Sequence, residues 1–163
     1  MDKKNWIKHK IIHCDAIAAY SNMLRATNNK IVFTNGCFDI LHHGHLSYLA
    51  AAASLGNKLI VGINSDASVK RLKGNDRPLT HEQDRLFQVA SLLVVDAVCL
   101  FEEDTPLALI ESVKPDVLAK GGDYTAATIV GADFVKSYNG ELSIIPFVTG
   151  YSTTHTIERI KHL

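Results

Sequence analysis

The sequence has no paired cysteine motif, no net charge and no long apolar run, and each absence removes a class of protein. Its three cysteines, Cys14, Cys37 and Cys99, are odd in number and widely spaced, with no CxxC pair. Neither a zinc centre nor thioredoxin-like chemistry is indicated, and free thiols in a reducing compartment, the cytoplasm, are expected. The 17 basic residues equal the 17 acidic ones. A protein that grips nucleic acid by its backbone usually carries a basic surplus, so no nucleic-acid partner is expected, although a local basic site for a small phosphate ligand is still allowed. The first residues, MDKKNWIKHK, are polar and basic with no apolar segment behind them. No apolar run approaches the roughly 20 residues of a membrane span, so no membrane partner is expected. There is no internal repeat, low-complexity segment or interdomain linker.

What is present is material for one core and a regular alternation. Of 163 residues, 47% are hydrophobic and 21% charged, which suits one soluble globular domain. Residues 11–26 read as an amphipathic helix, with Ile12, Ile17, Tyr20 and Leu24 near helical spacing. Ile31–Thr34 is a short β-branched and aromatic strand. A helix over 43–55, stopped by Gly56, and a continuously apolar strand over Lys58–Ile63 follow. Asn64–Thr80 is polar and basic and reads as a long loop with at most a turn of helix. Helices over 81–94, 105–113, 128–137 and 152–162 alternate with strands at 97–101, 116–119 and 142–146. Thr105 is the expected N-cap of its helix, with Pro106 at the first helical position. Strands alternating with helices predict an α/β fold: a doubly wound, Rossmann-like sheet of five parallel strands with helices on both faces. Its ligand is expected at the carboxyl ends of the strands.

The segment GCFDILHHGH, Gly36–His45, falls between the first strand and the next helix, where such a fold binds its ligand. Gly36 lets the backbone approach a phosphate, and Asp39 is a short acid just ahead of the helix. His42 and His45 are three apart and share a face. Gly44 between them leaves room for a flat base or ribose. A helix N-terminus attracts anions, and two imidazoles there would add donors toward phosphate oxygens. Three readings compete: structural histidines, a metal site, or a phosphate site. The metal reading lacks a partner cluster elsewhere in the chain, and the phosphate reading leads. Lys70, Arg71 and Lys73 follow the second strand as either a solvated surface run or a phosphate contact. KGGDY, Lys120–Tyr124, allows a tight backbone beside a ligand or an ordinary turn. Ser152 or Thr153 is a good N-cap for the last helix. Cys37 lies in the motif with no evident base beside it, so no covalent nucleophile is indicated.

On these residues the chain resembles the HxGH nucleotidyltransferase superfamily, through His42, Gly44 and His45, and within it the cytidylyltransferase-like group. It is most similar to the heptose 1-phosphate adenylyltransferases that make ADP-heptose for bacterial lipopolysaccharide. The resemblance runs from about Lys30 to Ile160 and includes FTNGCFDILHHGH, VGINSDASVKRLKG, Arg77–Pro78, FEEDTP, PDVLAKGGDY, IVGADFV and GYSTT. KGGDY and GYSTT together are the more specific blocks. The resemblance implies an N-terminal helical extension over 1–29 and a nucleotidyltransferase domain over 30–163. With only that extension ahead of it, a standalone transferase is expected, supplied by a sugar kinase on another polypeptide. It implies AMP transfer from ATP to a sugar 1-phosphate, D-glycero-β-D-manno-heptose 1-phosphate, with release of pyrophosphate and with Mg²⁺ held mainly by the ATP phosphates and no metal site of the protein's own. His42, His45 and a mobile Lys73 would be catalytic. Asn35, Gly36, Cys37, Phe38, Asp39, Gly44, Arg85, Lys120, Gly121, Asp123, Gly150, Ser152, Thr153 and Thr154 would face nucleotide or phosphate. Asn64, Asp66 and Tyr124 would face the sugar phosphate. Arg85 has an equal alternative as a helix-surface salt bridge to Glu82 or a nearby acid.

Two departures stand out. Many cytidylyltransferases carry an Arg in RTxGISTT, whereas this chain has FVTGYSTT, which favours the heptose group over a glycerol-3-phosphate-type cytidylyltransferase. His43 replaces a residue that is commonly apolar or aromatic, and no function is assigned to it. A non-catalytic nucleotide-binding module is the further alternative. Members of the group are commonly homodimers, and the apolar face of the N-terminal helix needs cover, so a dimer is expected.

Overall fold

The computed structural model describes residues 2–122 and 128–162. Five strands, β1 (Ile31–Gly36), β2 (Lys58–Asn64), β3 (Ala97–Phe101), β4 (Val117–Gly121) and β5 (Glu141–Ile145), form one parallel sheet in the order β3-β2-β1-β4-β5. The chain winds outward from β1 to β3, then returns to the other side of β1 for β4 and β5. The strand order therefore reverses between β1 and β4, and a crevice opens at their carboxyl ends. The expected five-stranded doubly wound sheet is the observed one.

Alternation along each strand sends side chains to two cores. Ile31 and Phe33 enter one, with Leu109, Ile110 and Val113 of α6 (Leu107–Val113), Val135 of α7 (Ala132–Ser137), and Ile17 and Leu24 of α2 (Ile17–Ala26). Val32, Val61 and Ala119 enter the other, with Leu49 and Ala52 of α3 (His43–Ala53) and Leu86, Val89 and Ala90 of α5 (Glu82–Ala90). Helices thus cover both faces.

Several expected boundaries move for identifiable reasons. The expected 11–26 helix begins only at Ile17. Ahead of it, Ile11 pairs with Val98, and the amide of Ile12 donates to the Val98 carbonyl at 2.8 Å. The polar start also folds, as α1 (Lys3–Lys8), capped by Asp2. The apolar face of α2 is covered within the chain, since Ile17 is fully buried and Leu24 is 6% exposed. Each such burial contributes about 1.5–3 kcal/mol, so this face offers no support for a dimer.

The expected loop over 64–80 contains α4 (Asp66–Lys73). Ser65 caps it by accepting from the Ser68 amide, and Val69 is its fully buried anchor. One apolar anchor in a charged run is too weak a periodic signal to reveal a helix. Pro106 stands at the N-cap of α6, one position earlier than expected, and Thr105 lies outside. The expected 128–137 helix starts only at Ala132, because Gly131 has φ 85°, a left-handed conformation that interrupts the helix. The last helix, α8 (Thr153–Lys161), begins as expected, with Ser152 as N-cap accepting from the His155 amide.

Candidate active site

β1 ends at Gly36, and the chain crosses to α3 through residues 37–42. His42 is the extended N-cap of α3, and its carbonyl accepts from the amides of His45 and Leu46 at 2.9 and 3.2 Å. This turn brings the two imidazoles into a stack, with centroids 3.8 Å apart and planes 21° apart. Phe38 tilts against His45 at 5.2 Å. A Cβ on Gly44 would lie 3.1 Å from the His42 ring and 3.2 Å from Tyr151 Cβ. The space beside Gly44, expected to receive a base or ribose, is therefore taken by His42 and Tyr151. His43 is exposed and tilts against Tyr151 at 5.0 Å.

Burial lowers the pKa of both rings. For His45 the neighbouring His42 and Lys73 charges add to burial, and against an opposing backbone hydrogen bond at Ile40 they hold it at about 4. Both imidazoles are therefore neutral at pH 7, and His42 Nδ1 has no hydrogen-bond partner among the described residues. A neutral stacked pair donates hydrogen bonds without repelling itself, at a helix end that favours anions.

Across the crevice, at the carboxyl end of β4, Lys120 donates to the Asn35 side chain of β1. Burial pulls its pKa down to about 8. Gly121 and Gly122 follow, and Asp123 and Tyr124 lie outside the described residues. Lys73 is the exposed last residue of α4 rather than part of a loop, and its charge reaches His45 and Cys37. Burial raises the Cys37 thiol pKa against the opposing charges of Lys73 and Arg85, so the thiol stays protonated. Gly150 and the Ser152–Thr154 start of α8 follow β5.

Other expected site residues are occupied elsewhere. Arg85 is fully buried: Nε donates to the Thr80 carbonyl at 3.0 Å, Nη1 to the Cys37 carbonyl at 2.6 Å and Nη2 to Asp66 at 2.9 Å. It is a buried crosslink: the nearby acid it pairs with is Asp66 instead of Glu82, and the pair is formed by a fully buried guanidinium instead of at the helix surface. Asp66 also lies 3.3 Å from His81. Burial would raise the Asp66 pKa, but the hydrogen bonds from Arg85 and His81 prevail and lower it. Asn64 donates to Ser68 at 3.0 Å in the interior. Asn64 closes β2 and Asp66 opens α4 two residues later, both one strand away from the β1–β4 crevice. Asp39 is 2% exposed and accepts from the Leu79 and Thr80 amides at 2.8 and 2.9 Å. Arg77 Nε lies 2.8 Å from its other oxygen. The anchoring roles of Arg77 and His81 have no local signal in the sequence, because their partners are distant along the chain. Tyr48, whose hydroxyl shares a 2.5 Å hydrogen bond with that of Thr34 on β1, does have one, since it stands one turn beyond His45 on α3.

Clefts among the described residues also lie outside the crevice. One, at the amino ends of the strands, includes Lys30 and Glu141, already paired at 3.2 Å. Another is lined by Asp15, Asp66, Glu82, Glu102 and Glu103, an acidic set that repels a triphosphate. A doubly wound sheet with paired imidazoles at a helix start and cations around its switch point defines a Rossmann-like nucleotidyltransferase fold.

Comparison with known proteins agrees. Residues 33–159 match the cytidylyltransferase-like family, and the chain belongs to that family, a family of nucleotidyltransferases. It is 54% identical over 159 residues to the bifunctional protein HldE of Trichlorobacter lovleyi, covering 98% of this chain and 32% of that protein. It is 60% identical over 132 residues to HldE of Helicobacter pylori, covering 81% of this chain and 28% of that protein. The chain thus spans about a third of the length of these curated relatives. Among solved structures, the lipopolysaccharide core biosynthesis protein of Thermoplasma volcanium is 30% identical, with a TM-score of 0.60, covering 76% of this chain and 99% of that one. Pantoate-β-alanine ligase of Francisella tularensis shares the fold, with a TM-score of 0.62 at 16% identity, over 93% of this chain and 76% of that one.

Proposed function

We propose that this protein transfers AMP from ATP to a sugar 1-phosphate, D-glycero-β-D-manno-heptose 1-phosphate, giving ADP-heptose and pyrophosphate for lipopolysaccharide or surface-glycan synthesis. The observation that carries the reading is the neutral, stacked His42–His45 pair at the start of α3, opposite Lys120 across the switch point. The sugar-phosphate oxygen attacks the α-phosphorus in line, a new P–O bond forms, and the bond to the β-phosphate oxygen breaks as pyrophosphate leaves. An already anionic attacking oxygen needs no general base, so the protein's task is to position two anions and neutralise charge.

His42 and His45 donate to oxygens on the reacting phosphorus, and Lys73 and Lys120 balance its charge. Gly150, Thr153, Thr154 and the free amides of the first turn of α8 hold the β- and γ-phosphates. Ser152 can join them, because its oxygen accepts from His155 while its hydrogen stays available to donate. The Asp39 and Asp66 carboxylates are engaged by Arg77 and Arg85, which fits Mg²⁺ carried by the triphosphate. When bound, the ion offsets phosphate charge.

The match to the heptose group and the lack of an Arg ahead of GYSTT support ATP over CTP. The same reading places the protein in the cytoplasm as a homodimer. Pyrophosphate release should be fastest with ATP and heptose 1-phosphate among the four nucleoside triphosphates and a panel of sugar phosphates. Preference for CTP with glycerol 3-phosphate would transfer the protein to the cytidylyltransferase reading.

A further inference from the structure

Phe147 is 70% exposed, yet part of its ring is closely seated. A Cβ on Gly121 would lie 3.1 Å from its Cε1, and one on Gly122 would lie 2.3 Å from its Cε2. Gly122 also has φ 105° and donates from its amide to the Ile145 carbonyl at 3.0 Å. Two glycines in succession thus make a bare platform under one aromatic ring, and any side chain at Gly122 would displace it. The same platform touches Tyr48, since a Cβ on Gly121 would lie 3.1 Å from the Tyr48 ring. Tyr48 is three residues beyond His45 on α3, and Lys120 immediately precedes the platform. A mostly exposed phenyl ring is therefore held at the carboxyl ends of β4 and β5, with part of it against the backbone of Gly121 and Gly122.

The turn after Phe147 leads directly to Ser152 and the start of α8, while Tyr151 returns to the His42–Gly44 corner. Phe147 therefore lies beside the proposed triphosphate site between the starts of α3 and α8. Of the two reactants, only the nucleotide has a planar, π-bearing surface to match an exposed aromatic ring. Phe147 also stands where RTxGISTT has its Arg, so a stacking surface replaces a cation at this place in the chain.

We infer that Phe147 is the base-stacking residue of the nucleotide site, taking the purine of ATP on its exposed ring while Gly121 and Gly122 hold that ring in place. The inference rests on the proposed use of ATP and adds the residue that holds the base. Base–aromatic stacking corresponds to about tenfold in affinity for one base.

The test is ATP binding by calorimetry without sugar phosphate, on the wild type and on Phe147→Tyr, Phe147→Leu and Phe147→Ala, with inorganic tripolyphosphate as the baseless probe. Tyr should bind ATP like the wild type, while Leu and Ala should bind it about tenfold more weakly. All four should bind tripolyphosphate equally and melt together, because the ring is mostly exposed. Wild-type ATP affinity in Phe147→Leu would reduce the ring to an apolar cover and overturn the inference, leaving ATP use intact. A parallel loss of tripolyphosphate binding would overturn it as a general disturbance of the site. A wild type that binds tripolyphosphate but gains nothing from adenine would overturn ATP use as well.

Discussion

At the residue scale the decisive physics is the close approach of two imidazoles. Rings stacked at 3.8 Å in a half-buried corner cannot both be cations without strong repulsion, and burial already disfavours the charged form of each. In the proposed reaction the pair therefore contributes directed N–H groups, while positive charge comes from lysines. Removing one preorganised donor typically costs about 10²–10³ in rate. His45→Ala should lower kcat by that factor while its melting temperature stays close to wild type, and near-normal turnover would remove the histidines from the chemistry. The depressed pKa has a second consequence. Between the ordinary value near 6.5 and the native value of about 4, the unfolded chain binds a proton that native His45 refuses. His45 therefore costs stability progressively as pH falls through that window, and nothing above it. His45→Asn should lose less stability than wild type between pH 6.5 and 4, measured as urea midpoints at several pH values. Parallel profiles would contradict the shift.

At the element scale, α4 and the turn at 77–80 are fastened to the histidine loop by Arg85 and Asp39. Arg85 joins the Cys37 carbonyl, the Thr80 carbonyl and Asp66, and Asp39 holds the Leu79 and Thr80 amides. The brace holds the start of α4 at Asp66, and Lys73 stands at the other end of that helix. Two substitutions separate bracing from chemistry. Arg85→Met strands a partly buried carboxylate and two carbonyls and should cost about 2–4 kcal/mol in urea denaturation. Lys73→Ala, on the surface, should stay within about 0.5 kcal/mol yet lower kcat strongly. A stable Arg85→Met protein, or full turnover in Lys73→Ala, would refute the corresponding half. The histidine motif is legible in the sequence because its members lie within four positions of one another on one turn. The brace is not, because Arg85 and Cys37 are 48 positions apart and Asp39 and Leu79 are 40 apart, and composition carries no record of such pairings.

At the scale of the whole molecule, the two sheet edges differ. Along β3, residues 10–12 lie beside the strand and hydrogen-bond to Val98, which blunts that edge. The other edge, β5, has Ile144 at 42% exposure. With the buried face of α2 covered by its own chain, the β5 edge of the sheet is where the proposed dimer has apolar surface to bury. Light scattering at micromolar concentration should give the mass of two chains. A monomer mass would discard the dimer and leave the single-chain crevice as the complete site.

By itself, the sequence determined the alternation of β-branched runs with amphipathic segments, and hence a parallel sheet covered on both faces. It also placed GCFDILHHGH after the first strand and a Ser cap before the last helix, because these features depend on neighbours a few positions away. The tertiary structure alone decided the strand order, and with it that the β1–β4 gap is the crevice while the end of β2 stands aside. It turned Arg85, Asp39, Asn64 and Asp66 inward, brought Lys120 to Asn35 across 85 positions and laid Phe147 over Gly121 and Gly122. The physical reason is common to all of these. Local conformation follows from short-range sterics and periodicity, whereas the partner of a buried polar or aromatic group is fixed only when packing brings distant segments together.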